Sequence, residues 1–435
     1  MKRYSEYKDS GVKWIGEIPR HWDCRKLKTL LLSPLQYGAN ASGVPYSEHL
    51  PRYIRITDIT LEGKLKHSDK LSLSYGDAAK YILKDKDILF ARSGASVGKT
   101  FLYKKEYGLS AFAGYLIKAE LGKELIPELL FYFTQSDIYE SWKNGIFIQS
   151  TIQNIGADKY SQLQIALPPL PEQQAIVTYL DTKVAKIDEY ISIAEKKIAA
   201  LEELKQTIIA EAVTRGIHKD VPMKDSGVKW IGMIPNHWKI VAIKRFSEII
   251  LGKMLDKTNG NEQQYLCAKD VHFDEINLTD LKKMYFSPEE QSKYRVRKGD
   301  LLVVEGGACG TCAILRTDVN DIFIQNSIMI VRGDKTKCVN DFIAYSIQAL
   351  VQKGYTESVC NKATIMHFTK EKLGNTLISL PPLPEQQEIV TYLDSKVANI
   401  NQLCQAERSQ IEKLKEYKQR LISDVVTGKV KVTND

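Results

Sequence analysis

Residues Leu167 to Asp181 read LPPLPEQQAIVTYLD, and residues Leu380 to Asp394 read LPPLPEQQEIVTYLD; fourteen of the fifteen positions agree. A long apolar periodicity follows each string. After the first come Leu180, Val184, Ile187, Ile191, Ala194, Ile198, Leu201, Ile208 and Ala212, at alternating steps of four and three, with one slot taken by Lys205 beside Leu204. After the second come Leu393, Val397, Ile400, Cys404, Glu407, Ile411, Leu414, Leu421 and Val425 in the same pattern. Sustained heptad alternation is the seam of a coiled coil. Proline is absent from both runs, and glycine stands only at their ends, Gly216 and Gly428. Pro171-Glu172 and Pro384-Glu385 suit helix starts, with proline in the first turn and an acid facing the positive end of the helix dipole. Each helix is expected to run about 40 residues, or about 60 Å. A single-seam helix of that length needs a mate, and the obvious mate is its own copy. Glu407 stands where Ala194 stands in the first seam, a charge that disfavours competing registers.

The repetition extends upstream. Lys8 to Trp22 reads KDSGVKWIGEIPRHW and Lys224 to Trp238 reads KDSGVKWIGMIPNHW, with thirteen of fifteen positions identical. Between these frames the halves have diverged, yet a skeleton remains. YIRITDI (Tyr53 to Ile59) faces YLCAKDV (Tyr265 to Val271), DILFARSGASVGKT (Asp87 to Thr100) faces DLLVVEGGACGTC (Asp300 to Cys312), and STIQNI (Ser150 to Ile155) faces ATIMHF (Ala363 to Phe368). Near-identical frames imply one task performed twice, such as docking two copies of one partner; different inserts imply two different ligands or sequences. Short β-rich runs at Tyr53–Ile59, Asp87–Ala91, Leu301–Val304 and Ile322–Val331 lie among helical stretches at Pro127–Tyr139 and Asn340–Lys353.

The fold class expected is α+β: two mixed α/β domains separated by a pair of long antiparallel coiled-coil helices, related by an internal pseudo-two-fold repeat. The expected boundaries are a frame segment at 1–22, an insert domain at 23–166, a helix at 167–217, the repeated frame at 218–238, a second insert domain at 239–379, a second helix at 380–428 and a tail at 429–435.

The 435 residues are 43% hydrophobic and 26% charged, the balance of a globular protein with real cores. No apolar run is long enough for a membrane span, and MKRYSEYKDSGVKW lacks the apolar core of a secretory signal. Seven cysteines, an odd number, argue for a reducing compartment, so a cytoplasmic location is expected. Cys309 and Cys312 form the only close pair and have no second pair at zinc-like spacing, which points to small buried thiols. The net charge is +8, and the inserts carry +4 and +3, a mild preference for polyanions.

Gly94 to Thr100, GASVGKT, looks like a phosphate-cradling loop but has three residues between its glycines where that loop has four, and its copy GGACGTC has no lysine. A tight glycine turn after a strand, or a DNA-contacting loop, fits better. The seven histidines are scattered, and His21 and His237 sit at matched frame positions beside Trp22 and Trp238, which reads as packing. No common catalytic motif is present.

The frames KDSGVKWIGEIPRHW and LPPLPEQQAIVTYLDTKVAKID, their repetition, and the YIRITDI and DILFARSG strings resemble the specificity (S) subunit of type I restriction-modification enzymes. The resemblance covers the whole chain. It implies that each insert is a target recognition domain reading one half of a bipartite, asymmetric site in double-stranded DNA. It also implies that the helices pair antiparallel as a spacer and dock two methyltransferase (M) subunits, which two restriction (R) subunits then join. The S subunit would be non-catalytic and bind no cofactor; S-adenosylmethionine, ATP and Mg belong to the partners. No motif fixes the base-reading residues. By residue type and place, the candidates are Arg55, Arg92, Ser93, Lys99 and Gln149 in the first insert, and Lys269, Glu305 and Lys362 in the second. Arginine can take guanine, glutamine adenine, and glutamate can accept from cytosine. Arg92 and Glu305 align, so the two domains would prefer different bases. Two other readings stay open on the residues alone: an enzyme using GASVGKT as a nucleotide site, and a scaffold pairing two partners without DNA.

Overall fold

The computed structural model describes residues 2–433 apart from 61–62, 67, 148–152, 256–259, 261, 274 and 361–365. The fold is mixed α+β and divides into two compact units, Met1–Ala194 with Ser409–Asp435, and Glu195–Arg408. Each unit therefore holds one insert, one frame segment and part of both long helices.

In the first unit the frame forms an antiparallel hairpin, Tyr7–Asp9 with Glu17–Pro19. Strand Asp23–Lys26 then pairs antiparallel with Gln164–Leu167, so the two ends of the insert are tied together beside the helix start. The insert holds two four-stranded sheets. One orders Ser110–Phe112, Arg52–Ile54, Leu71–Ser72 and Val44–Pro45, the first two parallel. The other orders Gln36–Tyr37, Leu116–Ala119, Ile88–Ala91 and Thr100–Leu102, antiparallel throughout. Ile88–Ala91 is buried on both faces, which is why it reads as an unbroken apolar run. The sequence expectation of one helix over Pro127–Tyr139 resolves into Pro127–Phe133 and Asp137–Phe147. The break falls at Ser136, whose hydroxyl is buried and donates back to the Phe133 carbonyl.

The second unit repeats this plan: hairpin Met223–Asp225 with Met233–Pro235, closing pair Lys239–Ala242 with Leu377–Leu380, and an antiparallel sheet Ser247–Leu251, Ile328–Gly333, Leu301–Val304, Cys312–Ile314. A three-stranded sheet contains the parallel pair Glu262–Leu266 and Ile322–Ile324. Two sequence expectations shift. Ile322–Val331 is two strands, because Gln325 accepts from the Ser327 N–H and turns the chain between them. YIRITDI is a strand only to Ile54; Asp58 accepts the Arg55 N–H and winds Ile56–Asp58 into a 3-10 turn.

The long helices span Leu170–Arg215, 46 residues, and Leu383–Val426, 44 residues. In the first unit Ile176, Val177 and Leu180 at the start of one share a core with Leu421, Ile422 and Val425 at the end of the other, and with Val12, Ile15, Ile18 and Trp22 of the frame. Val184, Ile191 and Leu414 pack on it half-buried. In the second unit Ile209, Ala212 and Val213 meet Ile389, Val390, Leu393 and Val397 against Ile231, Ile234 and Trp238. Of the expected seam, Leu180, Ile187, Leu393, Val397, Ile400, Ile411 and Leu421 are buried, while Ile198, Leu201 and Ile208 are half-buried. Glu407 is half-buried and paired with Lys197. The frame thus clamps helix ends in each unit, a structural reason for its near-identity that the sequence alone does not supply.

Candidate nucleic-acid interface

Both inserts present the same device: a fully buried strand, one polar residue just past its end, and a glycine turn. In the first unit the strand is Ile88–Ala91, the residue Arg92, and the turn Gly94–Ser96, with Gly94 and Gly98 at φ +74° and +85°. In the second they are Leu301–Val304, Glu305, and the turn carrying Gly307 and Gly310 at φ +82° and +83°. At these positive φ values glycine is favoured, since a side chain strains the backbone there. At Gly310 an added Cβ would also lie 2.6 Å from Val351 Cγ2. Neither turn leads into a helix. The first runs into strand Thr100–Leu102 and the second into Cys312–Ile314. A phosphate-cradling loop needs the N–H groups of a following helix start, so GASVGKT lacks the geometry of a nucleotide site.

A second strand segment crosses each turn. Ser93 bridges Asn154 antiparallel, and the Ile155 N–H donates to the Arg92 carbonyl at 2.9 Å. Gly306 bridges His367, and the Phe368 N–H donates to the Glu305 carbonyl at 2.7 Å. Arg92 is half-buried with its guanidinium carbon 5.1 Å from the centre of the Tyr37 ring, and its own N–H donates to the Tyr115 carbonyl at 3.0 Å. Tyr115 is 62% exposed. Burial pushes the Glu305 carboxyl above its ordinary pKa, and the nearby His367 opposes the shift.

The structure brings Arg92 and Ser93 together on the first turn, with half-buried Lys99 at its far end, and sets Glu305 on the second. It places the others apart. Arg55 is held by Asp58 through Nε at 3.1 Å and Nη2 at 2.8 Å, and Nη2 also donates to the Asp69 carbonyl. Lys269 extends into solvent with its ammonium 3.7 Å from Asp270. Gln149 and Lys362 lie outside the described residues. Asn154 and His367 were not singled out from the sequence, although they hold matching places in the aligned strings STIQNI and ATIMHF.

The frame histidines lie against aromatic rings, His21 with its ring centre 5.6 Å from that of Tyr4 and His237 6.4 Å from that of Trp238, and each also meets a carboxylate. His21 Nε2 lies 2.9 Å from Glu172 Oε2, which also accepts the Trp22 indole N–H at 2.9 Å, and the Tyr4 hydroxyl donates to the other oxygen. His237 Nε2 lies 2.8 Å from Glu385. The neighbouring tryptophans are both fully buried. Cys309 and Cys312 are buried thiols, Cys309 donating to the carbonyls of Glu305 and Met366. Among the described residues no helix is long and apolar enough to cross a membrane.

Comparison with known proteins places these features. The family model described as the type I restriction modification DNA specificity domain matches twice, over residues 53–203 and 235–413. The putative type I restriction enzyme MjaX specificity subunit of Methanocaldococcus jannaschii is 26% identical, the alignment covering 98% of each chain. The EcoBI specificity subunit of Escherichia coli is 23% identical over 72% of this chain and 68% of its own. A chain from a solved type I R-M system, described in terms of complex assembly and conformational transition, superposes with a TM-score of 0.73 at 19% identity, covering 95% of this chain and 99% of its own. The HsdS subunit of Thermoanaerobacter tengcongensis superposes at 0.52 and 20% identity over 95% and 98%. These two likenesses speak to the fold.

Proposed function

The chain belongs to the family of type I restriction-modification DNA specificity subunits, and from that premise we propose that each insert domain reads one half of a bipartite, asymmetric site in double-stranded DNA. The observation that carries this reading is the repeated strand-and-turn device that bears Arg92 in one insert and Glu305 in the other, one architecture with opposite hydrogen-bonding chemistry. Arginine donates to guanine, and glutamate accepts from base amino groups.

In this reading the two long helices form an antiparallel coiled coil that sets the spacing of the half-sites and docks two methyltransferase subunits, which two restriction subunits join. Support comes from the mixing of one helix start with the other helix end in each unit's core. The modest charge of the inserts fits a clamp in which the partners add further phosphate contacts. S-adenosylmethionine, ATP and Mg act in those partners, and the complex works in the cytoplasm.

The test is long-read mapping of methylated adenines in DNA from cells that express this chain with its cognate methyltransferase subunits. The expected result is one motif in two unequal parts with a fixed gap. A single continuous motif, or none, would overturn the reading. The purified chain alone is expected to show no methyltransferase, nuclease or ATPase turnover. Turnover abolished by Lys99→Ala would revive a nucleotide site.

A further inference from the structure

The bridges Ser93–Asn154 and Gly306–His367 recur at a constant offset of 213 residues, as do Arg92 and Glu305. The backbone is the same twice, and the side chains it carries differ at both places. In the first insert this pairing leaves a polar deficit. Arg92 Nε and Asn154 Oδ1 are both shielded from solvent, and neither has a hydrogen-bond partner among the described residues. The Tyr37 ring under the guanidinium limits the plane in which it can turn. Donors and acceptors held shielded and unpaired carry a desolvation cost that a ligand with complementary polar groups removes. In the second insert Glu305 is half-buried at the matching place, and His367 stands over Gly306, where an added Cβ would meet its imidazole at 3.4 Å.

We propose that Arg92 with Asn154, and Glu305 with His367, are the base-reading pairs of the two inserts. This deepens the DNA-reading function above and rests on it. Arg92 offers two parallel donors and takes an acceptor edge, guanine N7 and O6. Asn154, whose backbone bridges the next residue, Ser93, offers an amide able to take adenine N6 and N7 at a neighbouring position. Glu305 offers only acceptors when ionised and takes a base amino group, cytosine N4 or adenine N6. The first half-site therefore contains a guanine at the position Arg92 reads. At the aligned position the second half-site presents an amino group.

The experiment uses the full chain co-expressed with its methyltransferase subunits, with the methylated motif mapped for wild type, Arg92→Ala with Asn154→Ala, and Glu305→Ala with His367→Ala. Each double variant is expected to lose about 10- to 100-fold discrimination at one or two letters of one half-site. The other half-site and co-purification with the methyltransferase subunits stay unchanged, which shows that the chain is folded. If an alanine pair fails to co-purify, the near-isosteric Asn154→Asp and Glu305→Gln carry the same readout. A motif identical letter for letter in these variants overturns the proposal. A wild-type complex that defines no motif sinks the DNA-reading premise instead, so the two failures are distinguishable.

Discussion

Glu172 and Glu385 stand at the same place in the two repeats and are used unequally. Glu172 takes hydrogens from Tyr4 and Trp22 and contacts His21. Glu385 meets His237, and the buried Trp238 indole nitrogen has no partner among the described residues. Glu172→Ala would leave the Trp22 donor orphaned at a cost of about 1–3 kcal/mol. Glu385→Ala would remove a contact to a half-exposed histidine and cost about 1 kcal/mol or less. Denaturant unfolding of the two variants, followed by tryptophan fluorescence, should rank them in that order. Little of this was legible in the sequence, since each histidine lies some 150 residues from its carboxylate and no local pattern links them. The frame's DSG, by contrast, is explained locally: Asp9 and Asp225 accept the N–H of Gly11 and Gly227, which sit at φ +72° and +69°. For the reading residues, Arg92 and Glu305 could be found from the aligned strings, but the atoms left unpaired around them could not. Arg55 carries the same donors in the sequence, but Asp58 occupies them in the fold.

At the scale of the helix, the heptad pattern gave the two long elements almost completely, because their burial repeats with the period of the sequence. The slot that breaks each pattern is itself repeated. Lys205 and Lys418 are 213 residues apart, as are their partners Asn401 and Asp188, at 3.1 Å and 2.6 Å. Across the seam Lys205 meets a neutral amide while pairing with Glu202 of its own helix at 3.1 Å, whereas Lys418 meets a carboxylate of the other helix, and Glu407 adds a pairing to Lys197 where the other copy has Ala194 and Gln410. Since Lys197 is largely exposed, Glu407→Ala should cost no more than about 1 kcal/mol in thermal unfolding, while relaxing the choice of register. Direction is tested by cysteines. Val184→Cys with Leu421→Cys should cross-link efficiently under mild oxidation, and Leu180→Cys with Leu393→Cys should not; the reverse would mean a parallel pair. Strand boundaries were less legible than helices, because the turns at Asp58 and Gln325 depend on single side-chain acceptors that interrupt otherwise continuous β-rich runs.

For the whole molecule the proposed function makes the helices a ruler. One heptad added between Ala194 and Leu201, and another between Glu407 and Leu414, lengthens both by about 10.5 Å, roughly three base pairs. The mapped motif should keep both half-sites and widen its gap. Three residues added to each helix would turn the seam out of phase and should abolish assembly. An unchanged gap in the double-heptad variant would mean that something other than the helices sets the distance. Replacing Asp23–Ala166 with the insert of a relative should change one half of the motif alone, because paired strands tie the ends of that insert together at Asp23–Lys26 and Gln164–Leu167.

The first unit is also stitched from distant parts of the chain. The Tyr7 hydroxyl donates to the Gly428 carbonyl, Lys2 bridges Lys431, and the core around Trp22 is completed by Leu421, Ile422 and Val425. The second unit is a continuous stretch, Glu195–Arg408. On the ribosome these two differ in when they can finish. The second can close as soon as Arg408 has left the exit tunnel. The first, although made earlier, must hold the core around Ile15, Ile18 and Trp22 incompletely covered until the end of the second helix emerges. A ribosome-bound chain cut after residue 408 and extended by an unstructured linker long enough to bring Arg408 out of the tunnel should therefore yield a protease-resistant second unit beside a still-digestible first one. Its exposed frame apolar surface is where a chaperone would bind during synthesis.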